Sequence, residues 1–405
     1  MRLPFVVLSL LLAAAPSLAA ESAHVLLVVV DGLGADRASP AHLPRLHAFV
    51  AEAGGSWGRA RAVLPTRTNP NHASLLTGAH PDAHGIVGNK YWDAGLEALR
   101  PLDGPQLLEM ETLFTTLAAE RPDLRTAGFF SKSKLRHLFS TAPGRQVAPT
   151  LTWSPSEENL DDARVVAAAV LLAAEPVALA VVTIADVDRM SHQFGPASPE
   201  AQRAVRRVDE LLAALLRTMS ARASWRRTLV LITADHGFTA VTAASGVVLR
   251  SPPGARGRRY LAEGGSAFVH LRPTAGTVAA VAAEEAQRPG VAAVVRDLAS
   301  VHLAHPRGGA LLLLPEPGRV FLQSAADPSR AFLGNHGGVA EQDLPFVVVG
   351  GLPGLRRLSE ATVVSVVDVA PTLAAIFGVR PPRRLDGAPL PTGSAGRVLP
   401  LLSAE

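Results

Sequence analysis

His24-Val-Leu-Leu-Val-Val-Val-Asp31 sets six consecutive apolar residues directly before an aspartate. A run this short and this uniformly apolar reads as a strand buried on both faces, as in a parallel sheet covered by helices. Residues 178–184, 228–233 and 345–349 repeat the pattern, each a buried parallel strand by the same reading. Between such runs, residues 111–120, 161–174 and 200–220 carry apolar side chains at helical spacing. Strands alternating with helices imply an α/β protein, a layered α/β/α sandwich with a mainly parallel central sheet. In such sheets ligands bind beyond the carboxyl ends of the strands. Asp31, Asp188 and Asp235 each stand at or just after one of those ends.

The bulk composition bounds the rest. The chain has 405 residues, 48% hydrophobic and 18% charged, which is a folded chain with room for a large core rather than a disordered one. Its 39 lysines and arginines against 35 acidic residues give a formal charge of +4, with no run of like charge, so no nucleic-acid platform is expected. No internal repeat suggests a solenoid. Residues 1–20 read as a signal peptide: Arg2 supplies the positive region, residues 5–15 the apolar region and Ser17-Leu-Ala-Ala20 the small-residue cleavage site. Pro16 and the short apolar run argue against a membrane span there, and no later segment looks like one. The expected mature protein, residues 21–405, is exported, periplasmic or secreted from a bacterium, without a transmembrane span. It has no cysteine, so its stability rests on its core without disulfides. Residues 241–331 break the strand–helix alternation and read as a small α+β insertion, with a hairpin over 310–322 turning at Pro315-Glu-Pro-Gly318. Such an insertion would be a lid, a wall of the site or surface padding.

The chemistry lies in short, separated clusters. Asp188 and His192 are four residues apart, on one face of a helical turn. Asp235-His236 are adjacent and meet one ion only if the backbone turns. His336 lies in Gly334-Asn-His-Gly-Gly338. Histidine nitrogen with carboxylate oxygen suits zinc, and a pair of such ions can clamp a transferring phosphoryl group. Asp186 competes with Asp188 as the carboxylate ligand, but Asp188 has the better spacing to His192, and Asp186 reads as a loop residue or one that supports a ligand from behind. Thr68 opens a helix that ends at Gly78, so its hydroxyl faces the positive end of the helix dipole, where an anionic phosphate is favoured. Alone, Thr66 or Thr68 would be a helix cap and each Asp–His pair a solvated surface pair. Their placement together at strand ends points to a two-metal phosphoester hydrolase. His72 and His80 read as structural or surface residues.

Val28-Val-Val-Asp-Gly32, Pro65-Thr-Arg-Thr-Asn-Pro-Asn-His72, Thr77-Gly78, His84-Gly-Ile-Val-Gly-Asn89, Asp188 with His192-Gln-Phe-Gly-Pro196, Ala234-Asp-His-Gly237 and His336-Gly resemble the nucleotide pyrophosphatase/phosphodiesterase family of the alkaline phosphatase superfamily. Asp368-Val-Ala-Pro-Thr372 resembles the superfamily's closing helix. The resemblance implies an alkaline-phosphatase-like fold and two zinc ions per chain, for which magnesium or manganese could substitute. It implies Thr68 as the nucleophile of a phospho-enzyme, with Asp188, His192 and His336 on one zinc and Asp31, Thr68, Asp235 and His236 on the other. Asn89 would donate to a phosphate oxygen beside the backbone amide of Asn69. The implied substrate is a small phosphoester, a nucleotide or other phosphodiester. The chain departs from the family at Asn69, where an aromatic residue commonly helps form the substrate pocket. Ser131-Lys-Ser-Lys-Leu-Arg136 resembles a basic element of monoesterase and phosphonoacetate hydrolase relatives, which makes Lys132 and Lys134 substrate ligands in an alternative phosphomonoesterase or phosphonate hydrolase. The missing cysteine disfavours a sulfatase. A non-catalytic metal- or phosphate-binding protein would be expected to have lost a ligand or the nucleophile, and neither is missing.

Overall fold

The strand that precedes Asp31 is the centre of the molecule. The computed structural model describes residues 23–93, 95–140, 151–153, 162–172, 177–251, 257–359 and 361–403, so the 1–20 segment lies outside the described residues. In chain order the strands of the main sheet are β1 (His24–Val30), β2 (Ser56–Arg61), β3 (Thr126–Phe130), β4 (Leu151–Trp153), β5 (Leu179–Ile184) and β6 (Thr228–Thr233). A second sheet then contributes β7 (Arg258–Ala262), β8 (Ala267–Leu271), β9 (Val291–Val295) and β10 (Leu311–Pro315) before β11 (Asp343–Gly350) and β12 (Val363–Ser365) return to the first. The main sheet runs β12-β2-β11-β6-β1-β5-β3-β4 and the second β7-β8-β10-β9.

β1 lies between β5 and β6, parallel to both, with Val30 opposite Ile184 and Val29 opposite Thr233. Leu27, Val28, Val29 and Val30 are wholly buried, so both faces of the strand are covered. Each such side chain contributes about 2 kcal/mol through apolar burial. The long helix Pro199–Ser220 packs against helices Pro44–Glu52, Asp162–Leu172 and Asp186–Phe194. Helix Thr68–Thr77 packs against the closing helix Val369–Phe377. Among the described residues no helix is long and apolar enough to cross a membrane.

Two expectations need correction. Residues 345–349 do form a buried strand, but β11 runs antiparallel to both β6 and β2. An apolar run records burial and carries no direction, so the pattern could not distinguish the two. Residues 310–322 do not form a hairpin. The chain turns after Pro315, yet β10 pairs with β8 and β9, while Val320–Leu322 joins Gly246–Val248 in a separate parallel pair. The second sheet has its own apolar core, built on Tyr260, Val269, Val281, Leu311, Leu313 and Phe321.

Candidate active site

The equal register of β5, β1 and β6 brings three carboxyl ends level, and the acidic residues follow. Asp31 leaves β1, Asp235 and His236 leave β6 after Ala234, and helix Asp186–Phe194 begins just after β5. Asp186 is therefore the first residue of a helix, which removes the loop alternative, and its carboxylate accepts from Arg189. The helix start is fixed from outside: the Asp162 carboxylate accepts the N–H of Ala185 at 2.8 Å and of Asp186 at 2.9 Å. One turn on, Asp188 and His192 share a face, with Asp188 Oδ1 3.5 Å from His192 Nε2.

Ligand atoms of Asp188, His192 and His336 lie within 4.8 Å of one another, as do those of Asp31, Asp235 and His236. The two groups adjoin, because the His236 and His336 rings stack with centroids 3.5 Å apart. In each histidine Nδ1 faces a backbone carbonyl: Gly334 for His192 at 3.0 Å, Thr66 for His336 at 2.7 Å and Gly237 for His236 at 3.2 Å. A neutral ring that donates through Nδ1 keeps a lone pair on Nε2, the tautomer a metal ligand needs. His192 Nε2 and His336 Nε2 then point lone pairs at each other across 3.1 Å. Asp31 Oδ1, Asp188 Oδ1, Asp235 Oδ2 and His236 Nε2 are buried without a hydrogen-bond partner in the described structure. Each such atom costs roughly 1–3 kcal/mol if left unsatisfied, and a coordinated cation satisfies all of them. The donor set of buried carboxylates and imidazoles thus fits a pair of divalent ions.

The electrostatics agree. Burial lowers the His192 pKa to about 4 and holds those of His236 and His336 well below the ordinary value, so all three are neutral at pH 7. Burial, with Asp188 and Asp235 adding to it, holds the Asp31 carboxyl well above its usual range. Burial likewise raises Asp235 to about 7 against the pull of Lys132. Three carboxylates gathered out of water therefore call for positive charge. One cation is already there: Lys132 Nζ lies 2.6 Å from Asp31 Oδ2 and 2.7 Å from Asp188 Oδ2. Burial works against its charge, but Asp188 and Asp31 outweigh burial and raise its pKa. Lys134 senses the same carboxylates, yet burial and then Lys132 lower it to about 8. Lys132 thus pairs with carboxylates of both groups.

Thr68 is the first residue of its helix and 1% exposed. The helix closes at Gly78, whose φ of 72° is the left-handed conformation glycine adopts without strain. Asn89 and Asn69 meet differently from the expectation of two donors side by side. The Asn69 N–H donates to Asn89 Oδ1 at 3.0 Å, so that amide is engaged and the Nδ2 end is the donor left to Asn89. The Asn69 side chain turns away to the Leu102 carbonyl at 2.9 Å.

Of the other residues that hold this segment, the sequence singled out only His72, as a structural or surface residue. Asn71 accepts from the Val63 N–H and donates to the Arg67 carbonyl, pinning the approach to the helix. His72 is buried with Nδ1 2.9 Å from the Thr68 carbonyl and 3.5 Å from Asp235 Oδ2, which ties the Thr68 turn to the second cluster. Burial takes its pKa down to about 3. Arg67 reaches the other cluster, with Nη1 3.4 Å from His336 Nε2. Buried Glu341 accepts the Gly338 N–H at 2.8 Å and a bond from the Thr239 hydroxyl, and so shapes the loop that carries His336. Asn71 lies inside the quoted motif and could have been argued from it, and His72 is the structural residue of the two alternatives read for it. Arg67 and Glu341 owe their importance to contacts that no local spacing encodes.

A parallel-sheet α/β sandwich with two acid–histidine clusters beside a helix N-terminus defines a class of phosphate-handling proteins. The chain belongs to the type I phosphodiesterase / nucleotide pyrophosphatase family, whose model matches residues 25–339. Human ectonucleotide pyrophosphatase/phosphodiesterase family member 5 is 27% identical over 251 residues, 58% of this chain and 49% of the relative. Bovine bis(5'-adenosyl)-triphosphatase ENPP4 is 27% identical over 228 residues, 55% of this chain and 49% of the relative. The chain thus spans about half the length of the curated relatives it matches. The structure of murine family member 5 superposes with a TM-score of 0.72 at 21% identity, covering 92% of this chain and 97% of that one. The fold is accordingly the alkaline-phosphatase-like one. An inactive threonine-to-alanine form of the murine protein, in complex with AMP, superposes with a TM-score of 0.71 at 20% identity, covering 92% of this chain and 98% of that one.

Proposed function

We propose that this protein is a two-zinc phosphoester hydrolase that cleaves a nucleotide phosphodiester or pyrophosphate through Thr68. The observation that carries the proposal is the meeting of both ligand clusters at the turn that opens the Thr68 helix: His336 bonds to the Thr66 carbonyl, and His72 links the Thr68 carbonyl to Asp235. Asp188, His192 and His336 would hold one ion, and Asp31, Thr68, Asp235 and His236 the other. Bound there, the ions would supply Lewis acidity, lowering the pKa of the Thr68 hydroxyl and screening phosphate charge. The chain's own part is positional. The helix N-terminus faces the phosphate, and Asn89 Nδ2 donates to the non-bridging oxygen where charge grows. Thr68 Oγ1 bonds to phosphorus as the phosphorus–oxygen bond to the leaving group breaks, and water then cleaves the phospho-threonine to release the phosphoryl group and restore the hydroxyl. A nucleotide substrate is supported by the name of the bovine triphosphatase relative and by the AMP bound in the murine variant.

A second reading, a monoesterase or phosphonate hydrolase, has Lys132 and Lys134 in its favour, since both sense the site carboxylates. One measurement separates these, and a second tests the nucleophile that both share. The zinc-loaded protein should hydrolyse a nitrophenyl nucleotide diester faster than nitrophenyl phosphate, and the reverse preference would move it to the second reading. Thr68→Ala should lose at least about a thousandfold in kcat while retaining its zinc. Turnover near the wild-type rate in that variant would remove Thr68 as nucleophile.

A further inference from the structure

Arg67 stands one residue before Thr68, and its guanidinium is held at both ends. Its Nε lies 2.9 Å from Glu263 Oε2, and its Nη1 donates to His336 Nε2 at 3.4 Å. Glu263 follows β7 in the second sheet and is 2% exposed, whereas the Arg67 side chain keeps 15% of its surface open. The slot is close-fitting. A Cβ added at Gly264 would stand 3.0 Å from Arg67 Nη2, and one at Gly337 3.2 Å from Nε.

His336 Nδ1 is committed to the Thr66 carbonyl, so its Nε2 has one lone pair, which serves either Arg67 or a metal ion. A cation on Nε2 would also repel the guanidinium, while Glu263 keeps hold of the Nε edge. The Nη edge is then free for an anion lying over Asp188, His192 and His336. Lys132 is engaged by Asp31 and Asp188, whereas the carboxylate partner of Arg67 leaves its Nη edge open.

We propose that Arg67 is a substrate-phosphate ligand, with Glu263 as its positioning residue, and that it favours a phosphoryl group bearing more than one negative charge over a monoanionic diester. The class comprises phosphoanhydrides and dianionic monoesters. The proposal rests on the phosphoester reading above and deepens it. A planar fork that can grip two oxygens suits such a group better than a point charge does.

The test uses the zinc-loaded full chain and three variants, Arg67→Met, Arg67→Lys and Glu263→Gln. Inorganic phosphate binding is measured by calorimetry, and kcat/KM on ATP, nitrophenyl phosphate and a nitrophenyl nucleotide diester. Arg67→Met should weaken phosphate binding about 10- to 100-fold with zinc content unchanged. It should lower kcat/KM by a similar factor on at least one of the multiply charged substrates and less than about threefold on the diester. A loss confined to ATP identifies a phosphoanhydride, and one confined to nitrophenyl phosphate a monoester. Glu263→Gln should show a smaller loss of the same pattern, mainly in KM. Should Arg67→Met fail to fold, Arg67→Lys decides, with an expected loss of several-fold on the charged substrates alone. Wild-type phosphate affinity in the variant, or an equal loss on the diester, overturns the proposal. If the wild type turns over none of the esters, the hydrolase reading fails, and phosphate binding still decides the role of Arg67.

Discussion

Lys132 is the cation that two of the site's buried carboxylates share. Its ammonium touches Asp31 and Asp188, and the three carboxylates it serves are all buried. Removing it leaves uncompensated negative charge inside the protein unless other cations are present. Lys132→Ala should therefore destabilise the chelator-treated protein by about 3 kcal/mol, and the zinc-loaded protein far less. Urea unfolding with and without chelator measures both, and equal losses would mean that Lys132 and the metals do not share a role. The sequence made the two lysines visible as a basic turn, and the candidate ligand groups visible as Asp and His residues at strand ends. It could not show that Lys132 lies among the carboxylates. Nor could it show that the Asn69 amide is taken by Asn89. Both depend on distances between segments that the chain brings together only after folding.

At the scale of elements, the helix Asp186–Phe194 is set by a residue from another helix. Asp162 caps it across the chain, accepting two N–H groups that have no other acceptor within the helix. Asp162→Ala should cost about 2 kcal/mol of stability. Because Asp188 and His192 ride on that helix, zinc affinity should fall with it. Denaturant unfolding and a zinc titration check the two parts, and unchanged values in both would mean that water replaces the cap. Helix Pro199–Ser220 was legible to within one residue, because a long amphipathic period leaves little freedom. The direction of β11 and the partners of β10 were not. A turn signal such as Pro315-Glu-Pro-Gly318 fixes where the chain reverses, and the partner strand is chosen by packing elsewhere.

At the scale of the whole molecule, the second sheet is joined to the site through backbone. Gly265 donates its N–H to the His336 carbonyl at 3.0 Å, and the Ser266 hydroxyl bonds to Gly337. A Cβ on Gly265 would lie 2.5 Å from the Gly338 nitrogen, too close for any side chain without moving the His336 loop. Under the two-zinc proposal, Gly265→Val should lose the ion assigned to His336 while keeping the one assigned to Asp31, Asp235 and His236. Metal analysis of the purified variant tests this, and full zinc content would show that the loop holds without that contact.

The order of the main sheet also bears on how the chain is made. β2 is translated long before its two neighbours, β11 and β12. Until Asp343–Gly350 leaves the ribosome, Ser56–Arg61 has neither of its native strand partners, and the nascent polypeptide must carry an open edge while the intervening residues are made. A fragment stopped before Asp343 would lose β11 and β12 and leave β2 without partners, so strands translated much later are what complete the sheet around β2.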